Sequence, residues 1–509
     1  MLNDKKEAKK VDFQPVYDQV QMNSLEAIGK AQTNIEARLL PVKGDAISKV
    51  LSISASPKVK ISEIFTGEVR ISGEVEFCVL YLCEDGGNRV MRYSAQFTDK
   101  ITSDAIYGEC KPFLKVAVPS VEVIAVSGDE IRLSAVVEST LYCDDKREVK
   151  FLVGGEGAHF NHDEMAFDEL ICRGGDNATT SATLQNSVLT SVLTCEHKVA
   201  VLDAIALPGT VKVSGIIYTD ICGETEDGLL GSYRLETPFT REIEAHNTET
   251  GDKVYVCVSA TGRQTDNEES VEIEYDMQFE FSVYRTKTVT VASDAFSPEK
   301  ELLITAQSEQ ISICYPPLYA SDRVDGSITL SEDMAVADNI LSVGSVKSEI
   351  VSAVSYDGEV LVEGVVTGNI IYYSAEAESE NSVAVEIPFS LKERFDGVTD
   401  KYEVAVDCVV SSLSPKLRRG NEIDIRASLF LTVCCKKRVT VGVITEITEG
   451  EEREKCDCAF TVHVVREGES LWKIAKALGV SVEEIRAQNK GLGEVIYPGE
   501  RIIIYRCNC

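Results

Sequence analysis

The chain has 509 residues, 44% of them apolar, and a formal net charge of -32 at pH 7. That length exceeds what one hydrophobic core serves, so about three to five domains are expected. The charge opposes binding to nucleic acid or to anionic membrane surfaces, and no run approaches the roughly 18 apolar residues of a membrane span. The acid is unevenly placed: Thr461 to Tyr505 holds six basic and six acidic residues, so the excess belongs to the rest.

From the N-terminus, "MLNDKKEAKKVDFQPVYDQV" lacks an apolar segment and a small-residue cleavage site. It reads as a flexible tail over 1–24 and not as a secretory signal, so the cytosol is the expected compartment. Three β-rich copies follow. "VRISGEVEF" from Val69, "VKVSGIIYT" from Val211 and "VLVEGVVTG" from Val360 share a V-x-[VI]-x-G pattern ending on Gly73, Gly215 and Gly364. Phe97, Phe239 and Phe389 follow those glycines by 24, 24 and 25 residues. A further strand opens at Ile131, Val271 and Ile423, 58, 56 and 59 residues after them. Within the first copy Val69, Ile71, Val75, Phe77 and Val79 alternate with polar residues, the period of a half-buried strand.

These anchors divide the chain into repeat 1 at 25–153, a linker at 154–182, repeat 2 at 183–300, repeat 3 at 301–445 and an acidic linker at 446–455. Each copy is long enough for its own core. The last segment, 456–509, has another grammar. "HVV" reads as a strand, and Ser470 caps a helix carrying Leu471, Ile474, Ala475 and Leu478 that Gly479 ends. Ser481 and Glu484 form a capping box for a second helix, and "YPGE" turns into the strand "RIIIY". The fold class is mainly β, with three tandem β-rich repeat domains and a small C-terminal β-α-α-β module.

That module closely resembles LysM, through Gly468, Leu471, Trp472, Ile474, Ala475, Gly479, Ile485, Asn489, Pro498 and Gly499. His463 stands where LysM modules usually carry tyrosine. The resemblance implies a shallow groove for N-acetylglucosamine glycans between Gly468, Glu469, Ser470 and Leu471 on one side and Ile496, Tyr497, Pro498 and Gly499 on the other, with Trp472 and Asn489 beside it. Trp472 has a second reading, as the residue that packs the helix onto the sheet. Three acidic β-repeats ahead of a LysM module resemble clostridial spore-coat morphogenetic proteins of the SipL type, whose repeats are SPOCS domains. That resemblance implies a non-enzymatic scaffold in the mother-cell cytoplasm, at the forespore surface, with the coat's basement-layer ATPase and other coat proteins as partners. A cell-wall protein holding peptidoglycan or chitin is the competing reading.

Catalytic and metal patterns are weak. His159, His162, Asp163 and Glu164 in "HFNHDE" lack the spacing that puts two imidazoles on one helical face. Twelve of the sixteen cysteines are scattered singly and read as small buried apolar residues. The other four, Cys456, Cys458, Cys507 and Cys509, flank the first and last strands of the module. If those strands pair, the four thiols permit a closed structural zinc site or disulfides, with unpaired thiols the remaining reading; no other cofactor is expected.

Overall fold

The computed structural model describes residues 13–42, 44–107, 112–185, 189–266, 270–400, 402–418, 421–453, 460–493 and 495–505. Repeat 1 comprises β1 (Gln14–Leu39), β2 (Ile47–Phe65), β3 (Glu68–Cys83), β4 (Asn88–Thr102), β5 (Phe113–Ser127) and β6 (Glu130–Glu156). Repeat 2 runs through β7 (His159–Gln185), β8 (Leu189–Leu207), β9 (Thr210–Thr225), β10 (Leu230–Glu244), β11 (Lys253–Asp266) and β12 (Ser270–Phe296). Repeat 3 has β13 (Lys300–Cys314), β14 (Leu318–Thr329), β15 (Asn339–Tyr356), β16 (Glu359–Ser374), β17 (Ser379–Arg394), β18 (Glu403–Leu417) and β19 (Glu422–Glu452). The C-terminal module is β20 (Phe460–Val464), α1 (Leu471–Leu478), α2 (Val482–Gln488) and β21 (Arg501–Tyr505).

Every repeat is a sandwich of two antiparallel sheets. The first sheets are β2-β3-β4, β8-β9-β10 and β15-β16-β17; the second are β1-β6-β5, β7-β12-β11 and a sheet in which β19 pairs β13, β14 and β18. Alternation supplies each core from both sheets: Val75, Phe77 and Val79 of β3 meet Ile131, Leu133 and Ala135 of β6, and the other copies repeat the arrangement. In repeat 3 the long outer strand is split into β13 and β14 at Tyr315-Pro316-Pro317, because proline has no N–H for the ladder.

The spacing of the sequence anchors has a direct cause. Gly73, Gly215 and Gly364 are cross-strand partners of Phe97, Phe239 and Phe389. The ring lies over the glycine, so a Cβ on Gly215 would sit 2.6 Å from Phe239 Cζ and 2.4 Å from Ala200 O, and one on Gly364 would sit 2.6 Å from Phe389 Cζ.

The stretches expected as tail and linkers differ from that expectation. Residues 14–24 belong to β1, pairing from Gln14↔Glu156 to Ser24↔Asp145. Residues 159–182 of the expected first linker lie in β7, paired along β12, and the acidic 446–452 completes β19 against β13. Their polarity lies mainly on the outer face, with Asp168 and Glu169 as buried exceptions: Met165 and Phe167 point inward, as do Ile444 and Ile447. Gly174 and Gly175, which suggest a loop, sit against Phe281 and the backbone of Phe279.

These extensions join the repeats. The far halves of β6, β12 and β19 pair with the starts of β1, β7 and β13 as three ribbons. One shared core takes Met22, Val149 and Phe151 from repeat 1, Met165, Phe167 and Val291 from repeat 2, and Ile311 and Val443 from repeat 3. A second shared core lies among the first sheets. Leu80, Cys222 and Ile371, each seven residues after its anchor glycine, meet there with Leu51 and Leu341. Leu51, Leu193 and Leu341 are the extra residues of equivalent bulges.

Side chains close the circuit head to tail. Arg92 donates to Leu193 O at 3.2 Å (repeat 1 to 2), Ser232 to Leu341 O at 3.2 Å (2 to 3) and Ser382 to Val50 O at 3.3 Å (3 to 1). Three copies thus form a closed ring with pseudo-threefold symmetry, the geometry in which a repeated head-to-tail contact ends on itself. At the ribbons Asp168, with its side chain fully buried, accepts from Lys253 Nζ at 2.7 Å, Thr286 Oγ1 at 2.6 Å and the Cys314 amide of repeat 3 at 2.5 Å.

Gly215→Ala should cost about 1–3 kcal/mol by overpacking against Phe239, read as a lower urea midpoint with unchanged slope. Asp168→Ala leaves the Lys253 ammonium half-buried without its partner and should cost about 3–5 kcal/mol, measured in the same titration.

Candidate functional site

In the C-terminal module the helix signals act as expected. Ser470 Oγ accepts from the Lys473 amide at 3.2 Å, and Gly479 takes the left-handed conformation at φ 66° that ends α1. Ser481 and Glu484 exchange bonds of 3.0 Å as a capping box. β20 pairs antiparallel with β21, from Phe460↔Tyr505 to Val464↔Arg501. Ile474, Ala475 and Ile485 of the helices cover Ile502 and Ile504 on one face of that ribbon.

The two expected lips come together. Gly499 N donates to Val465 O at 2.8 Å and Val465 N to Glu500 O at 2.9 Å, so the loop after β20 lies beside the loop before β21. Gly468, Ser470, Tyr497, Pro498 and Gly499 are exposed at this end. Glu469 Oε2 accepts from His463 Nε2 and from the Arg466 amide, each at 2.8 Å, and these bonds, His463 first, hold its carboxyl below the ordinary range. His463, which replaces the usual tyrosine, therefore braces one lip.

Four other residues expected at the groove have different surroundings. Leu471 is buried in the module core and Ile496 packs against it. Asn489 Nδ2 donates to Ile485 O at 2.8 Å and Ile503 O at 2.7 Å, while its Oδ1 accepts from Ile503 N at 2.9 Å, tying α2 to β21. Trp472, the one tryptophan of the chain, points into the joint between module and ring. Its indole N–H donates to Asp294 Oδ2 at 2.8 Å, and its ring meets buried Phe296 edge-on at 5.1 Å between centroids. Lys476 Nζ also reaches Asp294 at 2.5 Å, and Arg453 Nη1 donates to Lys476 O at 2.8 Å. Burial opposes ionisation of Asp294, but the Lys476 and Trp472 bonds outweigh it and hold its pKa below the ordinary 3.8. No local pattern in "VASDAFSP" announces this joint.

The outward face of the ribbon is apolar as well. Phe460, Val462, Val464 and Tyr505 are all exposed there, from Val464 next to the lips to the Phe460–Tyr505 pair at the other end of the ribbon. Cys456, Cys458, Cys507 and Cys509 lie outside the described residues. His159, His162, Asp163 and Glu164 are strand residues of β7, and among the described residues no cluster of three or more acidic, histidine or cysteine side chains is placed to hold a metal.

A polar cavity of about 330 Å3 lies where the repeats meet, lined by Ser52, Glu196, Asp220, Cys222, Arg234 and Ser342. Its charges are internally matched. Asp220 accepts from Arg234 Nε at 2.7 Å and pairs with Lys198 at 3.2 Å, and Glu196 Oε1 accepts from the Ser345 amide at 3.0 Å. Burial pushes the Glu196 carboxyl above its ordinary value against the pull of Lys198.

Fold and site together define a β-rich binding protein: a three-sandwich ring carrying a small module with an exposed groove end. The family model described as LysM domain matches residues 463–504, and that described as SipL, SPOCS domain matches 46–126 and 337–418. The domain content is that of a SipL-type protein. No curated protein and no solved structure matches the chain. The SPOCS matches span β2 to β5 and β15 to β18, and β8 to β11 repeat that topology without a match. Both are binding or scaffold domains; the SPOCS matches mark the chain as sporulation-related, and the LysM match gives it a module of the glycan-binding class. No described helix is long and apolar enough to cross a membrane.

Asp294→Ala should weaken docking of the module by about 1.5–3 kcal/mol, the range for hydrogen bonds to a charged group. Trp472 fluorescence should shift to the red in that variant. Because the Asp294 pKa is depressed on docking, its contribution is complete above the ordinary carboxyl value and lost as pH falls through the depressed one. Acidification should therefore reproduce the red shift in the native chain and add little in the variant.

Proposed function

We propose that the chain is a non-catalytic scaffold of spore-coat assembly in the mother-cell cytoplasm, engaging the coat's basement-layer ATPase and other coat proteins at the forespore surface. The observation that carries this reading is the mounting of the module. Trp472, Lys476 and Arg453 hold it against the ring, leaving the apolar face of Phe460, Val462, Val464 and Tyr505 open along the ribbon that leads to the lips. A rigid body that presents a small apolar face suits protein docking, since exposed apolar surface rimmed by polar residues marks interaction sites.

The exposed lips and the LysM match favour a second reading, retention of N-acetylglucosamine glycan between Gly468–Ser470 and Tyr497–Gly499. Pull-downs on the immobilised ATPase and on peptidoglycan or chitin separate the two. The scaffold reading expects retention on the ATPase that falls about tenfold, or 1.4 kcal/mol, with Val462→Glu. Retention on glycan alone, lost with Tyr497→Ala, supports the second reading.

A further inference from the structure

The three repeats carry equivalent edge strands, β5, β11 and β18, each pairing a central strand on one side only. An open strand edge is a template for another chain, and proteins blunt it with charge, proline or a covering side chain. All three edges carry a charge in their last stretch, and in two of them it includes a basic residue. Register alignment on the central strands sets Glu122, Val123, Ala125 and Val126 of β5 against Arg263, Gln264, Thr265 and Asp266 of β11 and Ser414, Pro415, Lys416 and Leu417 of β18. β11 thus carries an arginine, and the His197 ring lies over its Gly262. β18 carries a proline followed by a lysine.

The last stretch of β5 has no basic residue and no proline: Pro119 precedes it, and its one charge is Glu122. This stretch, "VEVIAVS" from Val121, is apolar except for Glu122, and Val123, Ile124 and Val126 are exposed, Ile124 by 52%. Ile124 is the extra residue of a bulge between Val123↔Leu133 and Ala125↔Arg132. Among the described residues Glu84, Glu122 and Asp129, which border this tip, have no basic partner, whereas nearby Glu130 is bracketed by Arg38 and Arg132.

We propose that the outer edge of β5, Val121 to Ser127, is a docking site for an extended segment of a different protein, apolar at alternate positions and basic at its ends. The segment adds as a further strand of the β1-β6-β5 sheet, with main-chain bonds supplying affinity and Val123, Ile124 and Val126 receiving its side chains. Charge selects this occupant over a second copy, because self-pairing would bring Glu122 and Asp129 of two chains, each of net charge -32, together. The site is independent of what the C-terminal module binds.

The test uses the full chain and a labelled peptide of alternating valine and threonine with lysines at both ends, followed by fluorescence anisotropy. Saturable binding is expected, with new hydrogen-exchange protection confined to the amides of 121–127. Replacing Val123 and Val126 by lysine, at exposed positions that leave the thermal midpoint unchanged, should weaken binding about tenfold or more, 1.4 kcal/mol per factor of ten. N-methylation of alternate peptide amides, which needs no protein variant, should abolish it, and exchanging lysines for glutamates should weaken it. Absence of binding, or binding indifferent to the edge substitutions and to N-methylation, overturns the proposal. So does a chain dimer dissociated by the edge substitutions.

Discussion

Each repeat closes its sandwich with the first half of one long strand and gives the second half to a core shared with the other two. β6, β12 and β19 are therefore both walls of single domains and staves of a common stem. Met22, Phe151, Phe167, Ile311 and Val443 are buried in one core to which all three repeats contribute. Since burial of such side chains contributes about 1.5–3 kcal/mol apiece, the stem couples the folding of three domains. The buried carboxylate of Asp168 adds direction to this apolar core, because its Lys253 and Cys314 partners come from repeats 2 and 3.

The ring then determines where everything else lies. Head-to-tail contacts between first sheets use equivalent leucines and equivalent bulges, so one kind of interface is used three times. At the far end of the stem, Asp294 and Phe296 stand at the close of β12 and receive Trp472. The module's orientation, and hence which of its faces meets a partner, follows from a contact made by repeat 2.

What was legible in the sequence was what local chemistry dictates. The glycine and phenylalanine anchors kept their spacing because they are cross-strand partners, and Ser470, Gly479, Ser481 and Glu484 announced two helices through their caps. The stem was not legible. Its strands face solvent on one side with acidic and glycine-rich residues, and their inward residues are too widely spaced among polar ones to outweigh that composition. Trp472 could be read as core or as ligand platform, and its actual partners lie 178 and 176 residues away, beyond any local pattern. Asn489 matched the LysM pattern, but its three main-chain bonds make it a clamp between α2 and β21.

The closed ring is the central claim, and its most direct measurement is zero-length carbodiimide cross-linking read by peptide mass spectrometry. Lys436 Nζ lies 2.5 Å from Glu26 Oε1, although the residues are 410 apart in the chain and belong to repeats 3 and 1. An intramolecular Lys436–Glu26 amide is predicted in the monomer fraction, alongside the within-repeat Lys198–Asp220 product expected from a 3.2 Å pair. Recovery of the Lys198–Asp220 product without the Lys436–Glu26 product would show three sandwiches strung in line and contradict the ring.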